Sequence, residues 1–292
     1  FFHADAGIRD CLLSRGLGDV YKRQVKTLEQ EGHLSRIKGP NGKRALILNH
    51  REQTATTIAR LPLMGLIAAG EPIEALENPE KPSIAVIGGS KVSTKISVLK
   101  NLVCKLDNII IGGGMANTFL YASGSPMGKS LYEPDFKETV NEIHELAKKY
   151  DCKIFLPVDI VVSKDFIKNA DHKVVNFNEC PSDHMILDIG QKSIELYKKI
   201  ISSSKTILWN GPLGAFETMP FDKGTNALAK YTSYITKNNN CVSVAGGGDT
   251  IAALNSINVT EDFTYVSSAG GAFLEWLEGK ELPGIKAINL SK

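Results

Sequence analysis

Three short apolar runs in this chain each end on a glycine-rich turn. Asn108-Ile109-Ile110-Ile111 leads into Gly112-Gly113-Gly114-Met115, and Thr206-Ile207-Leu208-Trp209 into Asn210-Gly211-Pro212. Cys241-Val242-Ser243-Val244-Ala245 leads into Gly246-Gly247-Gly248-Asp249-Thr250. Short runs rich in Ile, Val and Leu are what a strand buried on both faces requires. Such strands belong to parallel sheets, whose carboxyl ends collect along one edge. Glycine turns gathered there present bare backbone N–H groups to phosphate oxygens. The pattern predicts a nucleotide-binding α/β fold.

The 292 residues, 42% of them hydrophobic, suffice for one large or two ordinary domains. A net charge of +2 supplies no basic field for nucleic acid or a membrane surface. No apolar run has the length of a bilayer span. The first residues, Phe1-Phe2-His3-Ala4-Asp5, lack the basic start and long apolar stretch of a secretory signal. Cys11, Cys104, Cys152, Cys180 and Cys241 have neither metal nor redox spacing. A cytoplasmic protein without a structural metal is expected.

From about residue 81, strand and helix patterns alternate. Strands are expected at 83–87, 108–111, 153–162, 206–209, 242–245 and 264–267. Helices are expected at 92–106, 135–150, 192–201, 226–236 and 250–256. This alternation predicts a doubly wound, Rossmann-like parallel sheet between helical layers, with ligands at the carboxyl ends of its strands. The amino-terminal part reads differently. Residues 1–24 have neither caps nor periodicity and are read as disordered or artefactual. In residues 25–50 a short helix ending at Gly32 precedes a hairpin with Asn41-Gly42 at its turn. That order matches the second half of a winged helix-turn-helix, although the pattern alone favours an ordinary hairpin with solvated lysines; residues 51–80 are a linker and junction.

The chemistry must come from outside the standard motifs. Gly124-Ser125-Pro126-Met127-Gly128-Lys129-Ser130 is one residue short of a P-loop and follows no apolar strand, so it reads as a plain loop. No Gly-x-Gly-x-x-Gly opens a helix ahead of an acidic residue. Lys91 and Lys95, four apart after Gly88-Gly89, are expected to share one helix face and to neutralise a polyphosphate. The alternative is a solvated face. Asp249, after three glycines, could cap a helix or hold Mg²⁺ through oxygen. Glu217 could bind ribose hydroxyls or be a surface charge.

Two resemblances follow from these residues. Residues 25–77, with Leu61-Pro62-Leu63-Met64-Gly65 and Ala68-Ala69-Gly70, resemble a fragment of the LexA repressor family, including the strand that carries its cleaved bond. The first helices of the DNA-binding domain and the catalytic serine and lysine are missing, so neither DNA binding nor self-cleavage is expected. Residues 75–289 resemble the carboxyl-terminal domain of phosphoglycerate kinase. The matching segments include Gly88-Gly89-Ser90-Lys91-Val92-Ser93, Leu156-Pro157-Val158-Asp159, Leu187-Asp188-Ile189-Gly190, Trp209-Asn210-Gly211-Pro212-Leu213-Gly214 and the Gly246–Thr250 turn, in order.

The second resemblance implies phosphoryl transfer between ATP and 3-phosphoglycerate with Mg²⁺. Lys91 would contact the transferring group and Lys95 the nucleotide phosphates. Gly112, Gly113, Gly114, Asn210, Gly211 and Pro212 would shape the nucleotide pocket, and Glu217 would take the ribose. Gly247, Gly248 and Thr250 would lie at the phosphates, and Asp249 would bind Mg²⁺. Gly270 and Gly271 would open a helix whose start stabilises the transferring charge. Ser90, Thr94, Ala269 and Phe273 depart from the family's usual residues, and Phe273 is expected to put bulk near that helix start. Residues 1–74 do not resemble the domain that binds 3-phosphoglycerate, so that ligand is expected only if the domain is supplied. A chain without it is expected to bind ADP or ATP with negligible turnover. The competing reading is a DNA-binding regulator with a nucleotide-sensing domain. Residues 73–80 suit both families, which marks the join as a candidate chimeric splice.

Overall fold

The computed structural model describes residues 34–38, 44–48, 79–239, 241–267 and 270–280. The chain divides into two compact units, Phe1–Leu63 and Met64–Lys292. In the first, β1 (Leu34–Lys38) pairs antiparallel with β2 (Arg44–Leu48), with Leu34 opposite Leu48 and Lys38 opposite Arg44. This is the expected hairpin. Its turn, the helix before it, residues 1–24 and the linker to residue 78 lie outside the described residues.

In the second unit, β3 (Ser83–Ile87), β4 (Asn108–Ile111), β5 (Lys153–Phe155), β9 (Thr206–Asn210), β10 (Val242–Gly246) and β11 (Tyr265–Ser267) form one parallel sheet. Its order is β11-β10-β9-β3-β4-β5. The chain winds outward from β3 through β4 to β5, then returns to β9 and winds the other way. The topological switch point is therefore the β3/β9 seam.

Alternate residues along each strand serve opposite layers. Ala85 and Ile87 of β3 and Ile109 and Ile111 of β4 pack with α1 (Ile96–Leu102), α2 (Gly113–Ala122), α3 (Lys137–Lys149) and α7 (Gly270–Leu277). Ile84, Val86, Ile110 and Trp209 pack with α4 (Gln191–Ser202), α5 (Lys223–Asn238) and α6 (Gly248–Ser256). Burial of both strand faces explains the unbroken apolar runs. Among the described residues no helix is long and apolar enough to cross a membrane.

Three expectations need correction. The single strand expected over 153–162 is two strands in different sheets. Leu156-Pro157-Val158 separates β5 from β6 (Asp159–Ser163), because proline brings no N–H to a ladder. β6 lies between β7 (His172–Asn176) and β8 (Met185–Ile189) in an antiparallel sheet that the alternation did not predict. The helix expected over 92–106 is a 3₁₀ turn, Val92–Thr94, followed by α1. Lys95 breaks the helix between them at φ −131° and ψ 16°. Finally, α2 follows the Gly112–Gly114 turn directly, where no helix was expected.

Two buried carboxylates tie the antiparallel sheet to the helices. Asp159 Oδ1 accepts hydrogen bonds from Ser193 N (2.7 Å) and Ser193 Oγ (2.6 Å), and Oδ2 accepts from Lys192 N (3.0 Å). It thereby caps the start of α4 from a different strand. The local cap position is Gly190, where a β-carbon would stand 2.3 Å from the Asp159 carboxylate. Asp188 repeats the device on α5, accepting from Gly224 N at 2.7 Å beside another glycine with no room for a side chain. The Val-Asp and Leu-Asp-Ile-Gly segments are thus helix-capping devices. Asp159→Ala should cost about 2–4 kcal/mol in urea-unfolding free energy, since it strands the amides of Lys192 and Ser193 at the start of α4. A loss below about 1 kcal/mol would refute this role.

Candidate functional site

The β3/β9 switch point is where an open α/β sheet leaves a crevice. Here the turns after the two strands are in backbone contact. Gly88 N donates to Asn210 O at 3.0 Å. A β-carbon on Gly88 would lie 1.8 Å from Pro212 O, and one on Gly211 (φ +103°) would lie 2.2 Å from Gly88 O. The start of α2 closes on the same point. Gly113 N donates to Leu213 O at 2.9 Å and Met115 N to Gly89 O at 3.1 Å. β-Carbons on Gly112, Gly113 and Gly114 would meet Leu213, Gly89 O and Ser90 O within 2.2–2.6 Å. These glycines are required because the turns pack on one another, which already excludes a β-carbon before any ligand is considered.

Lys95 sits beneath this junction. Its Nζ donates to Gly88 O at 2.6 Å and to Asn210 O at 3.0 Å, so one ammonium holds both turns. Burial depresses its pKa to about 8, and the nearby Asp249 carboxylate opposes that shift. Lys91 is exposed, in extended backbone ahead of the 3₁₀ turn. The two lysines therefore do not share a helix face. One is a half-buried clamp and the other projects into solvent.

On the β10 side, Gly247 (φ +99°) turns the chain into α6 and occupies its cap position. Asp249 is inside the first turn and exposed, so it is not the cap residue. Thr250 is buried, and its Oγ1 accepts from Gly211 N at 2.7 Å. Its side chain holds a neighbouring turn. Asn210 Nδ2 donates to Gly246 O at 2.8 Å, while its buried Oδ1 has no partner among the described residues. α7 opens at Gly270, as expected, and a β-carbon there would stand 3.8 Å from Gly247 Cα. A β-carbon on Gly248 or Gly271 would meet open space. The expectation for Phe273 is corrected. Its ring is buried against Gly246, 2.3 Å from where a β-carbon would be, and it packs in the core. Ala269 lies outside the described residues.

A cleft of about 580 Å³ opens beside this junction. Gly89, Gly113, Gly114, Pro212 and Asp249 line part of it, and Glu217 is among the other lining residues. Of the expected site residues, Gly113, Gly114, Pro212, Glu217 and Asp249 line it. Lys91, Lys95, Gly112, Asn210, Gly211, Gly247, Gly248, Thr250, Gly270 and Gly271 do not. The sequence reading missed the apolar part of the lining. Leu131, Phe166, Met185 and Leu187 form it, with Lys129 and Ser130 from the supposed plain loop. Leu131 and Phe166 are 52% and 53% exposed, unusual for large apolar groups facing a cavity. Their signal was unreadable because they come from loops far apart in sequence. Asp188 also lines the cleft, and burial pushes its pKa up to about 8 despite two backbone donors.

Comparisons with known proteins agree on one family. The model of the family described as phosphoglycerate kinase matches residues 49–280. A phosphoglycerate kinase of Methylorubrum extorquens (strain PA1) is 56% identical over 215 residues, 74% of this chain and 54% of that protein. That of Zymomonas mobilis subsp. mobilis is 52% identical over 245 residues, 82% of this chain and 62% of that protein. The solved phosphoglycerate kinase of Coxiella burnetii has a TM-score of 0.69 at 46% identity, covering 73% of this chain and 54% of that one. The Pyrococcus horikoshii enzyme has a TM-score of 0.61 at 30% identity, covering 75% and 56%. The chain spans about half the length of the curated relatives it matches.

The Lys95 clamp has a measurable signature. With a folded pKa of about 8 against an ordinary 10.5, the desolvated charge of this half-buried lysine opposes folding fully below pH 8. That opposition fades as pH rises from 8 through 10.5, so this contribution to stability increases over that window. In ¹³C-labelled lysine spectra one ammonium should titrate near pH 8, and Lys95→Met should remove it. A wild-type spectrum in which every lysine titrates near 10.5 would refute the assignment.

Proposed function

The chain belongs to the phosphoglycerate kinase family, and on that premise we propose that residues 79–280 bind the nucleotide, Mg-ADP or Mg-ATP, for phosphoryl transfer. The carrying observation is a cleft lined both by the backbone of glycine turns and by exposed Leu131 and Phe166. A polar ligand would leave those two side chains in contact with water. A flat heterocycle would cover them while its polyphosphate ran toward the glycine turns. Phe166 is backed by the fully buried Phe221, 6.4 Å between ring centroids, which supports a stacking surface. Glu217 is assigned to the ribose hydroxyls, with Gly112, Gly113, Gly114, Gly211 and Pro212 shaping the path of the phosphates.

Asp249 fits the role of Mg²⁺ ligand. It is an exposed carboxylate at the cleft, near the Lys95 ammonium, and no group of three or more metal-ligating side chains exists among the described residues. Mg²⁺ bound through one carboxylate, with phosphates and waters completing its shell, suits that donor set. When bound, the ion neutralises charge on the phosphates. Lys91, exposed and unburied, is assigned to the transferring phosphoryl group. Lys95 fixes the turns that present the phosphate path, and its partly suppressed charge is restored when an anion approaches. The amino end of α7 at Gly270 and Gly271 supplies oriented N–H groups to the developing charge.

In the whole enzyme this donor site faces 3-phosphoglycerate, in the cytoplasmic reaction of glycolysis. The isolated chain is expected to bind nucleotide without turnover, because proximity of donor and acceptor contributes on the order of 7–11 kcal/mol. Calorimetry provides the test. Phe166→Ala should weaken adenosine and Mg-ADP alike by about tenfold. Asp249→Ala should weaken Mg-ADP by about tenfold, leave adenosine unchanged and remove the Mg²⁺ dependence. Wild-type protein that binds neither ligand, or binds ADP equally with and without Mg²⁺, would overturn the reading.

A further inference from the structure

The segment carrying Lys91 and Lys95 is short of local support. The 3₁₀ turn Val92–Thr94 has only three residues and no capping side chain from the residue before it. The Thr94 hydroxyl donates to Lys91 O at 2.8 Å, which closes the turn on itself. Val92 is buried in the core and Lys95 is held by its own ammonium, but between them the exposed Ser93 is held from forty residues away. Glu133 Oε2 accepts from Ser93 N at 2.9 Å, and Oε1 accepts from Ser93 Oγ at 2.6 Å. Both oxygens of one carboxylate thus hold one residue, two positions from each lysine.

Glu133 is itself anchored to the cleft. Its N–H donates to Thr118 Oγ1 at 3.1 Å, and that hydroxyl donates to Gly114 O at 3.2 Å. Two residues earlier, Leu131 O accepts from the buried Asn117 Nδ2 at 3.0 Å. Gly114 and Leu131 both line the cleft, on its backbone and apolar sides. A hydrogen-bonded path therefore runs from Gly114 through Thr118 and Glu133 to the lysine segment, and Leu131, two residues before Glu133, is tied to α2 beside it.

We propose that Glu133 is a positioning residue: by gripping Ser93 it holds the Lys91–Lys95 segment in register with the cleft, so that the lysines meet the phosphates preorganised. This rests on the nucleotide reading above and deepens it. The Glu133 carboxylate touches no ligand in this scheme. It acts by lowering the ordering cost that the segment would otherwise bear on binding. The effect should therefore appear with ligands that carry phosphates and vanish with the nucleoside alone.

The test is calorimetry of adenosine and Mg-ADP on the 292-residue chain. Glu133→Ala should weaken Mg-ADP by about fivefold, as expected for losing a partly exposed charge-assisted pair, with adenosine unchanged. Glu133→Gln should stay within about twofold of wild type. The amide oxygen can accept from Ser93 N while the Ser93 hydroxyl reverses and accepts from the amide. Ser93→Ala, which keeps the N–H, should fall between, and it carries the same test if Glu133→Ala does not fold. Wild-type protein that binds neither ligand sinks the nucleotide reading and this role with it. Wild type that binds Mg-ADP, with Glu133→Ala binding as wild type or losing adenosine and Mg-ADP equally, overturns only the positioning role.

Discussion

Pro212 O stands where a β-carbon of residue 88 would be, and the second unit is arranged around that contact. It brings the ends of β3 and β9 together at the point where the winding of the sheet reverses. Two turns this close direct the carbonyls of Gly88 and Asn210 toward the same spot. Convergent carbonyl dipoles need a donor, and the Lys95 ammonium supplies it to both. Desolvation makes that an expensive choice, which the depressed pKa records. What results is a rigid glycine ledge with a positive charge beneath it, and rigidity there requires no ligand. Catalysis of phosphoryl transfer rests on such preorganised positioning and charge.

The antiparallel sheet β7-β6-β8 is attached to this ledge by two carboxylates. Asp159 and Asp188 leave their strands to cap α4 and α5, and the glycines at 190, 214 and 224 make room for them. Each carboxylate satisfies helix-terminal N–H groups that would otherwise be buried without partners. The attachment sets part of the cleft lining, since Met185 and Leu187 belong to β8. The apolar part of the cleft thus depends on polar contacts beneath it.

The sequence was most legible where one physical demand fixed every residue in a segment. β3 and β4 occupy the residues expected of them, because burial on both faces leaves no position for a polar alternation. α3 and α4 carry a one-sided apolar stripe and were equally readable. α2 was not. Met115 to Leu120 are all buried, so the helix has no polar face to produce a period, and two glycines at its start hide it further. The break at Leu156-Pro157-Val158 was hidden inside a largely apolar stretch that feeds two different sheets.

By itself the sequence determined the parallel α/β core, the glycine turns at its strand ends, and the family, since the ordered motifs depend on residue type and spacing alone. Tertiary structure decided what each motif does. It separated Lys91 from Lys95, turned Thr250 inward, moved Phe273 into the core and made Asp159 and Asp188 into caps. It also assembled the Leu131 and Phe166 wall from distant loops. The reason is that spacing governs neighbours along a helix or strand, whereas the direction of a side chain and its companions across the fold follow from packing, which no local period encodes.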